Sequence, residues 1–222
     1  MFLTKPLLED VKKKNLFVFD FDGVVLDSVD VKGEVFYQIY EPYGEGIASA
    51  AKLHHLKNGG VPRNKKFKYL HSKLLNYQLC DEELSFLSGQ FSRLALQKLE
   101  YVDEIPGIRF FLEYLKLAAK KCTINSASPT DDLTHILTQR NLIKYFCSIF
   151  GSEDSKPENL RAMQKKFDLL PNDFIFFGDT KSDKDAAQAV GIDFISVRSN
   201  DLDCLLGGNS HKASLHDFRY LL

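Results

Sequence analysis

Short runs that are apolar or β-branched throughout constrain this chain most. They are LFVFDF at 16–21, CTINS at 122–126, CSIFG at 147–151, FIFFGD at 174–179 and FISV at 194–197. Apart from the mixed CTINS none alternates polar with apolar residues, and each reads as a strand buried on both faces, as in a parallel sheet covered by helices on either side. Helical spacing fills the gaps between the later runs. Ile108, Phe111, Leu112 and Leu115 follow Pro106-Gly107; Leu133, Ile136 and Leu137 follow Pro129-Thr130; Leu160, Met163 and Phe167 follow Pro157. Strand and helix in succession imply right-handed crossovers and an α/β fold with a doubly wound parallel sheet.

Between the first and second runs lie about a hundred residues, far more than a crossover helix needs. From Val29 to Val102 no strand-like run occurs. Instead Val31, Val35, Phe36, Ile39 and Tyr40 recur at helical spacing, and 48–56, 67–77 and 82–99 read similarly, separated by turn signals at Pro42-Tyr43-Gly44, Asn58-Gly59-Gly60 and Cys80-Asp81. The expected organisation is a core of residues 1–28 and 103–222 with an inserted α-helical subdomain at 29–102.

The 222 residues carry 29 basic and 30 acidic side chains, a net charge of -1, which argues against a dedicated nucleic-acid binder. Four cysteines, Cys80, Cys122, Cys147 and Cys204, lie far apart with no C-x-x-C pair, disfavouring a zinc site or a disulfide scaffold. The amino-terminal apolar patch is broken by Pro6 and then by charges, unlike a signal peptide, and no stretch approaches the roughly 20 apolar residues of a membrane helix. The expectation is a cytoplasmic protein with no membrane or nucleic-acid partner.

Polar residues gather where the apolar runs end. The first run ends in Asp20-Phe21-Asp22-Gly23. On an extended segment Asp20 and Asp22 would face the same side, and two carboxylates that close call for a compensating cation, for which Mg²⁺ is suited, unless the motif is merely a turn. Phe174 to Phe177 lead into Gly178-Asp179-Thr180-Lys181-Ser182-Asp183 at the start of another helix. There Asp183 could simply complement the helix amino terminus, whereas a charge at Asp179, directly after an apolar strand, is costly without compensation. Ser126 ends the second run, and Lys156-Pro157 opens the helix after the third. Ligands of doubly wound sheets bind outside the carboxyl ends of the strands, so this set reads as a metal-assisted phosphate site.

The segments DFDGVVLDS, INSASP, SKPE and GDTKSDKDAA, in that order, resemble the four motifs of the haloacid dehalogenase superfamily over nearly the whole chain, and the helical insertion resembles the cap of its phosphoglycolate phosphatase and β-phosphoglucomutase branch. The resemblance implies that Asp20 is the nucleophile, forming an aspartyl phosphate, and that Asp22 is the general acid and base. It implies that Ser126, Ala127 and Lys156 bind the phosphoryl group, and that Mg²⁺ rests on the Asp20 and Asp179 side chains and the Asp22 backbone carbonyl, with Asp183 in support. Asp22 favours phosphate-ester chemistry within the superfamily. Val31 and Lys32 stand where related mutases carry a histidine, which favours a phosphatase acting on a small phosphorylated metabolite over a sugar phosphomutase. A regulatory or binding member with weak catalysis is the remaining alternative.

In the insertion, Arg63, Lys65, Lys66 and Lys68 form a charge run that reads as a solvated helix face. The competing reading has Arg63, with Lys32, set substrate specificity. His54 and His55 are adjacent, cannot share a helix face, and read as surface or packing residues. Thr180 is expected to cap the helix after Asp179, and Asp27 and Ser28 to hold a hinge or cap the first inserted helix.

Overall fold

A computed structural model describes residues 5–198 and 211–221; Cys204 lies outside the described residues. The chain divides into two compact units, one of Met1–Asp27 with Asp103–Leu222 and one of Ser28–Val102. In the first, strands β1 (Leu16–Phe19), β2 (Lys121–Asn125), β3 (Ser148–Phe150), β4 (Phe174–Gly178), β5 (Asp193–Val197) and β6 (His211–Leu215) form a parallel sheet in the order β3-β2-β1-β4-β5-β6. Winding therefore reverses beside β1, whose Phe19 is in register with Ile124 on one side and Phe177 on the other.

In chain order the helices are α1 (Lys5–Lys13), α2 (Val29–Tyr40), α3 (Glu45–Lys57), α4 (Arg63–Leu74), α5 (Asp81–Leu99), α6 (Ile108–Leu117), α7 (Thr130–Gln139), α8 (Lys156–Phe167) and α9 (Lys181–Val190). Helices α2 to α5 make up the second unit and the others flank the sheet.

The two-residue period of β1 explains why its run is apolar throughout. Leu16 and Val18 join Leu160, Met163, Ala186 and Ala187 of α8 and α9 in one core layer. Phe17 and Phe19 point the opposite way, into an aromatic layer where Phe19 stacks on Phe177 with centroids 5.0 Å apart and Phe111 of α6 meets Phe218 at 5.5 Å. Each such ring pair contributes about 1 kcal/mol beyond its area burial.

Two elements of this unit lie beyond the sequence reading. In α1, Pro6 falls in the first helical turn, where its missing N–H costs nothing. In β6 the run His-Lys-Ala-Ser-Leu is too short and too mixed in polarity to signal a strand, yet it pairs with β5, Val197 in register with Leu215.

The helical unit has its own interior. Val35, Phe36, Ile39 and Tyr40 make the buried face of α2, and Phe36 lies 5.2 Å from Phe67 of α4 and 4.9 Å from Phe91 of α5 between ring centroids. Helix α3 packs against α2 at Gly33, where a β-carbon would make ordinary contact with Leu56 at 3.4 Å. Tyr40 Oη and His71 Nδ1 share a buried hydrogen bond of 2.7 Å, and burial holds the His71 ring below its ordinary pKa.

The charge run is not a wholly solvated face. Lys65 and Lys68 are exposed, but Lys66 is buried, with Nζ 3.0 Å from His55 Nδ1 and close to the Phe36 ring. The run spans more than one helical turn, so its members cannot all face solvent; a long aliphatic stem lets Lys66 turn inward. Helix α4 also begins at Arg63, four residues earlier than the apolar spacing predicts, because polar residues fill its first turn. His54 stacks on Tyr69 and His55 on Phe36, which makes both packing residues.

Candidate active site

Strand β1 ends at Phe19, and the next residue is pinned by its backbone: the Asp20 N–H donates to the Phe177 carbonyl at 2.8 Å. The Asp20 carboxylate accepts the Phe21 N–H on Oδ1 at 2.7 Å and faces Lys156 Nζ with Oδ2 at 2.9 Å. Beyond Asp20 the chain bends at Phe21, and Asp22 Oδ2 accepts a hydrogen bond from Ser128 Oγ at 3.2 Å. The two carboxylates are near enough for the charge of Asp22 to raise the pKa of Asp20.

Lys156 is the first residue of α8. Its helix start is fixed by Ser155, whose N–H and hydroxyl both donate to Glu158, and by Pro157 in the first turn. The buried ammonium bridges Asp20 and, at 2.5 Å, Asp183. Asp183 is buried and uses its other oxygen to accept from the N–H and hydroxyl of Thr180. Helix capping and the active-site ion pair are thus carried by one carboxylate, and Thr180 caps α9 as expected. The lack of a side chain at Gly178 permits this approach, since a β-carbon there would stand 2.3 Å from the Asp183 β-carbon.

Asp179 completes the group. Oxygens of Asp20, Asp179 and Asp183 all lie within 4.8 Å of one another. Among the described residues, Asp179 Oδ1 is the buried side-chain atom without a hydrogen-bond partner. The other oxygen points toward Gly23, where a β-carbon would come within 2.3 Å of it. Three carboxylates around one ammonium leave a formal surplus of two negative charges. Burial accordingly pushes Asp20 up to about 7, with Asp183 and Asp22 adding to the rise and Lys156 opposing it. Asp179 is likewise held well above the ordinary carboxylate range, first by burial and then by Asp20 and Asp183. Burial alone would lower Lys156, but Asp183 and Asp20 outweigh it and keep the ammonium charged. An acidic, oxygen-only cluster with a partnerless oxygen and a side-chain-free space beside it could hold a metal ion.

Ser126 stands at the end of β2, buried, with its N–H on the Phe150 carbonyl and its hydroxyl accepting the Ser128 N–H at 3.3 Å. Ala127 is half-buried between them. Ser128 and Gly23 fall inside motifs whose neighbours carry the sequence reading, yet neither type announces a role: only the fold shows Ser128 meeting Asp22 and Gly23 facing Asp179. Of the residues expected to set specificity, Arg63 donates to Ser88 and Ser92 at 2.9 and 2.8 Å over the Phe91 ring, and Lys32 is buried on α2. Asp27 pairs with Arg198 at 2.6 Å, and Ser28 precedes α2 without a side-chain capping bond.

The family model of haloacid dehalogenase-like hydrolases matches residues 17–197, a span from β1 to the end of β5. The chain belongs to that family. It is 26% identical over 183 residues to a phosphorylated carbohydrates phosphatase of Thermotoga maritima, covering 80% of this chain and 82% of that protein. It is 24% identical to a phosphoglycolate phosphatase of Pseudomonas savastanoi pv. phaseolicola over 84% of this chain and 70% of that one. In structure it resembles the β-phosphoglucomutase of Clostridium difficile, with a TM-score of 0.75 at 18% identity over 94% of this chain and 93% of that one. At that identity the likeness is one of fold. Among the described residues no helix is long and apolar enough to cross a membrane, and Cys80, Cys122 and Cys147 are unbridged.

Proposed function

We propose that this hydrolase is an Mg²⁺-dependent phosphatase that cleaves the phosphate monoester of a small metabolite through an aspartyl-phosphate intermediate. The observation that carries the reading is the buried, partnerless Oδ1 of Asp179 inside a cluster with surplus negative charge beside Asp20. All the donors are carboxylate oxygens, which suits a hard divalent cation. Asp20, Asp179 and the Asp22 backbone would hold it, with Asp183 in support. Bound there, it would neutralise charge between the acidic cluster and an incoming phosphate.

The chain's own groups supply the chemistry. An Asp20 oxygen attacks phosphorus while the bond to the leaving oxygen breaks, and Asp22 gives that oxygen its proton. Asp22 then takes a proton from a water molecule that attacks the aspartyl phosphate, releasing inorganic phosphate and restoring Asp20. Ser126, Ala127 and Lys156 hold the phosphoryl oxygens. Residues 29–102 act as a cap that excludes bulk water, with Arg63 and Lys32 in selection of the leaving group. The names of the curated relatives support phosphate-ester hydrolysis.

The test is phosphate release over a panel of small phosphate esters with Mg²⁺, beside the Asp20→Asn protein. Metal-dependent release, absent from the variant, is expected. Unchanged turnover by Asp20→Asn overturns the mechanism, and conversion of a sugar phosphate to its isomer without release identifies a mutase.

A further inference from the structure

Directly behind the phosphate-binding residues lies a buried pair of amides that the mechanism does not use. Asn125 is the last residue of β2, immediately before Ser126, and Asn159 is three residues into α8 from Lys156; both are buried. Asn159 Nδ2 donates to Asn125 Oδ1 at 3.0 Å and to the Gly151 carbonyl at 2.9 Å, while Asn125 Nδ2 donates to the Lys156 carbonyl at 3.1 Å. These three bonds tie the end of β2, the residue after β3 and the first residue of α8 to one another. Amide orientation is fixed by the partners, since flipping either group would set oxygen against a carbonyl oxygen.

Stability alone does not account for such a pair. Two buried primary amides gain little net energy over well-packed apolar groups, and nearby Leu160 and Met163 show that this part of α8 is otherwise apolar. What the amides add over apolar contacts is direction. The hydrogen bond from the Asn125 amide to the Lys156 carbonyl fixes where α8 starts, and hence where the ammonium stands, relative to the residue before Ser126. We propose that Asn125 and Asn159 are positioning residues that hold Lys156 and Ser126 at the separation a phosphoryl group requires. This rests on the phosphatase reading for what is bound, and on the fold for the coupling.

The test is the double variant Asn125→Val with Asn159→Ala, which conserves total side-chain volume and removes both polar groups together. Its melting temperature, turnover and affinity for inorganic phosphate by calorimetry are compared with those of the unaltered protein. The expected result is melting within a few degrees, with kcat per folded molecule at least tenfold lower and phosphate bound at least tenfold more weakly. A purely structural pair would shift melting and leave both other quantities unchanged, and that result overturns the proposal. Asn159→Ser, which keeps one short donor, gives the same comparison should the double variant not fold, with a loss of the same sign expected. If the unaltered protein hydrolyses no ester but binds phosphate, the phosphatase reading fails and the affinity comparison still decides the role of the pair. A protein that neither hydrolyses an ester nor binds phosphate overturns both.

Discussion

A β-carbon on Gly23 would lie 2.3 Å from Asp179 Oδ2, so the third residue of the loop after Asp20 has no side chain because the carboxylate after β4 occupies that space. Gly23 also has a φ of 75°, which L side chains rarely adopt. Gly23→Ala is therefore expected to cost about 1 to 2 kcal/mol of stability in denaturant melts. Because Asp179 must move, it should also lower Mg²⁺-supported turnover by about a hundredfold, a displacement of one ångström in such a site having effects of that size.

Asp179 predicts a conflict between stability and function. Its buried carboxylate has one oxygen without a partner and neighbours of like charge. Without metal, Asp179→Asn should raise the melting temperature at pH 8, because an uncompensated charge is removed. The same variant should lose most of the melting-temperature increase that Mg²⁺ gives the unaltered protein. Thermal melts with chelator and with added Mg²⁺ read both effects, and a lower melting temperature in chelator would contradict the first.

The raised pKa of Asp20 gives stability a definite pH slope. With the carboxyl pushed up to about 7, the folded chain holds a proton between pH 4 and 7 that the unfolded chain has released. Its contribution is most favourable at the acid end and is lost as pH rises through 7, by on the order of a few kcal/mol. In chelator, the melting temperature of the protein minus that of Asp20→Asn should fall across this window. Added Mg²⁺ should stabilise the unaltered protein more at pH 8 than at pH 5, where protons compete for the carboxylates.

In the helical unit, Tyr40→Phe removes the hydroxyl that meets His71 Nδ1 at 2.7 Å while keeping the ring packed near Phe67. His71 Nδ1 retains a longer contact of 3.3 Å to the Phe67 carbonyl. The expected cost is about 1 kcal/mol, measured by denaturant melts, with kcat unchanged.

The sheet was legible because both faces of a parallel strand are buried, which leaves unbroken apolar runs such as 16–19 and 174–178 in the chain. The helical insertion was legible from the periodicity of α2 and from the length between β1 and β2. Burial that depends on a single turn was not: Lys66 reads as one of several surface lysines until α4 packs.

For the site, the sequence by itself marked the side chains proposed to carry chemistry, since Asp20, Asp22, Ser126, Lys156, Asp179 and Asp183 all follow elements that its pattern marks or lie in their first turn. Tertiary structure decided how they are paired. Asp183 turns to Lys156 as well as to its own helix start, Asp22 turns to Ser128, and Asn125 with Asn159 ties β2 to α8. Those contacts that join separate elements bring together residues from 27 to 106 positions apart through the winding of the sheet. Local pattern reports which face of an element is buried; which polar group meets which depends on where separate strands end.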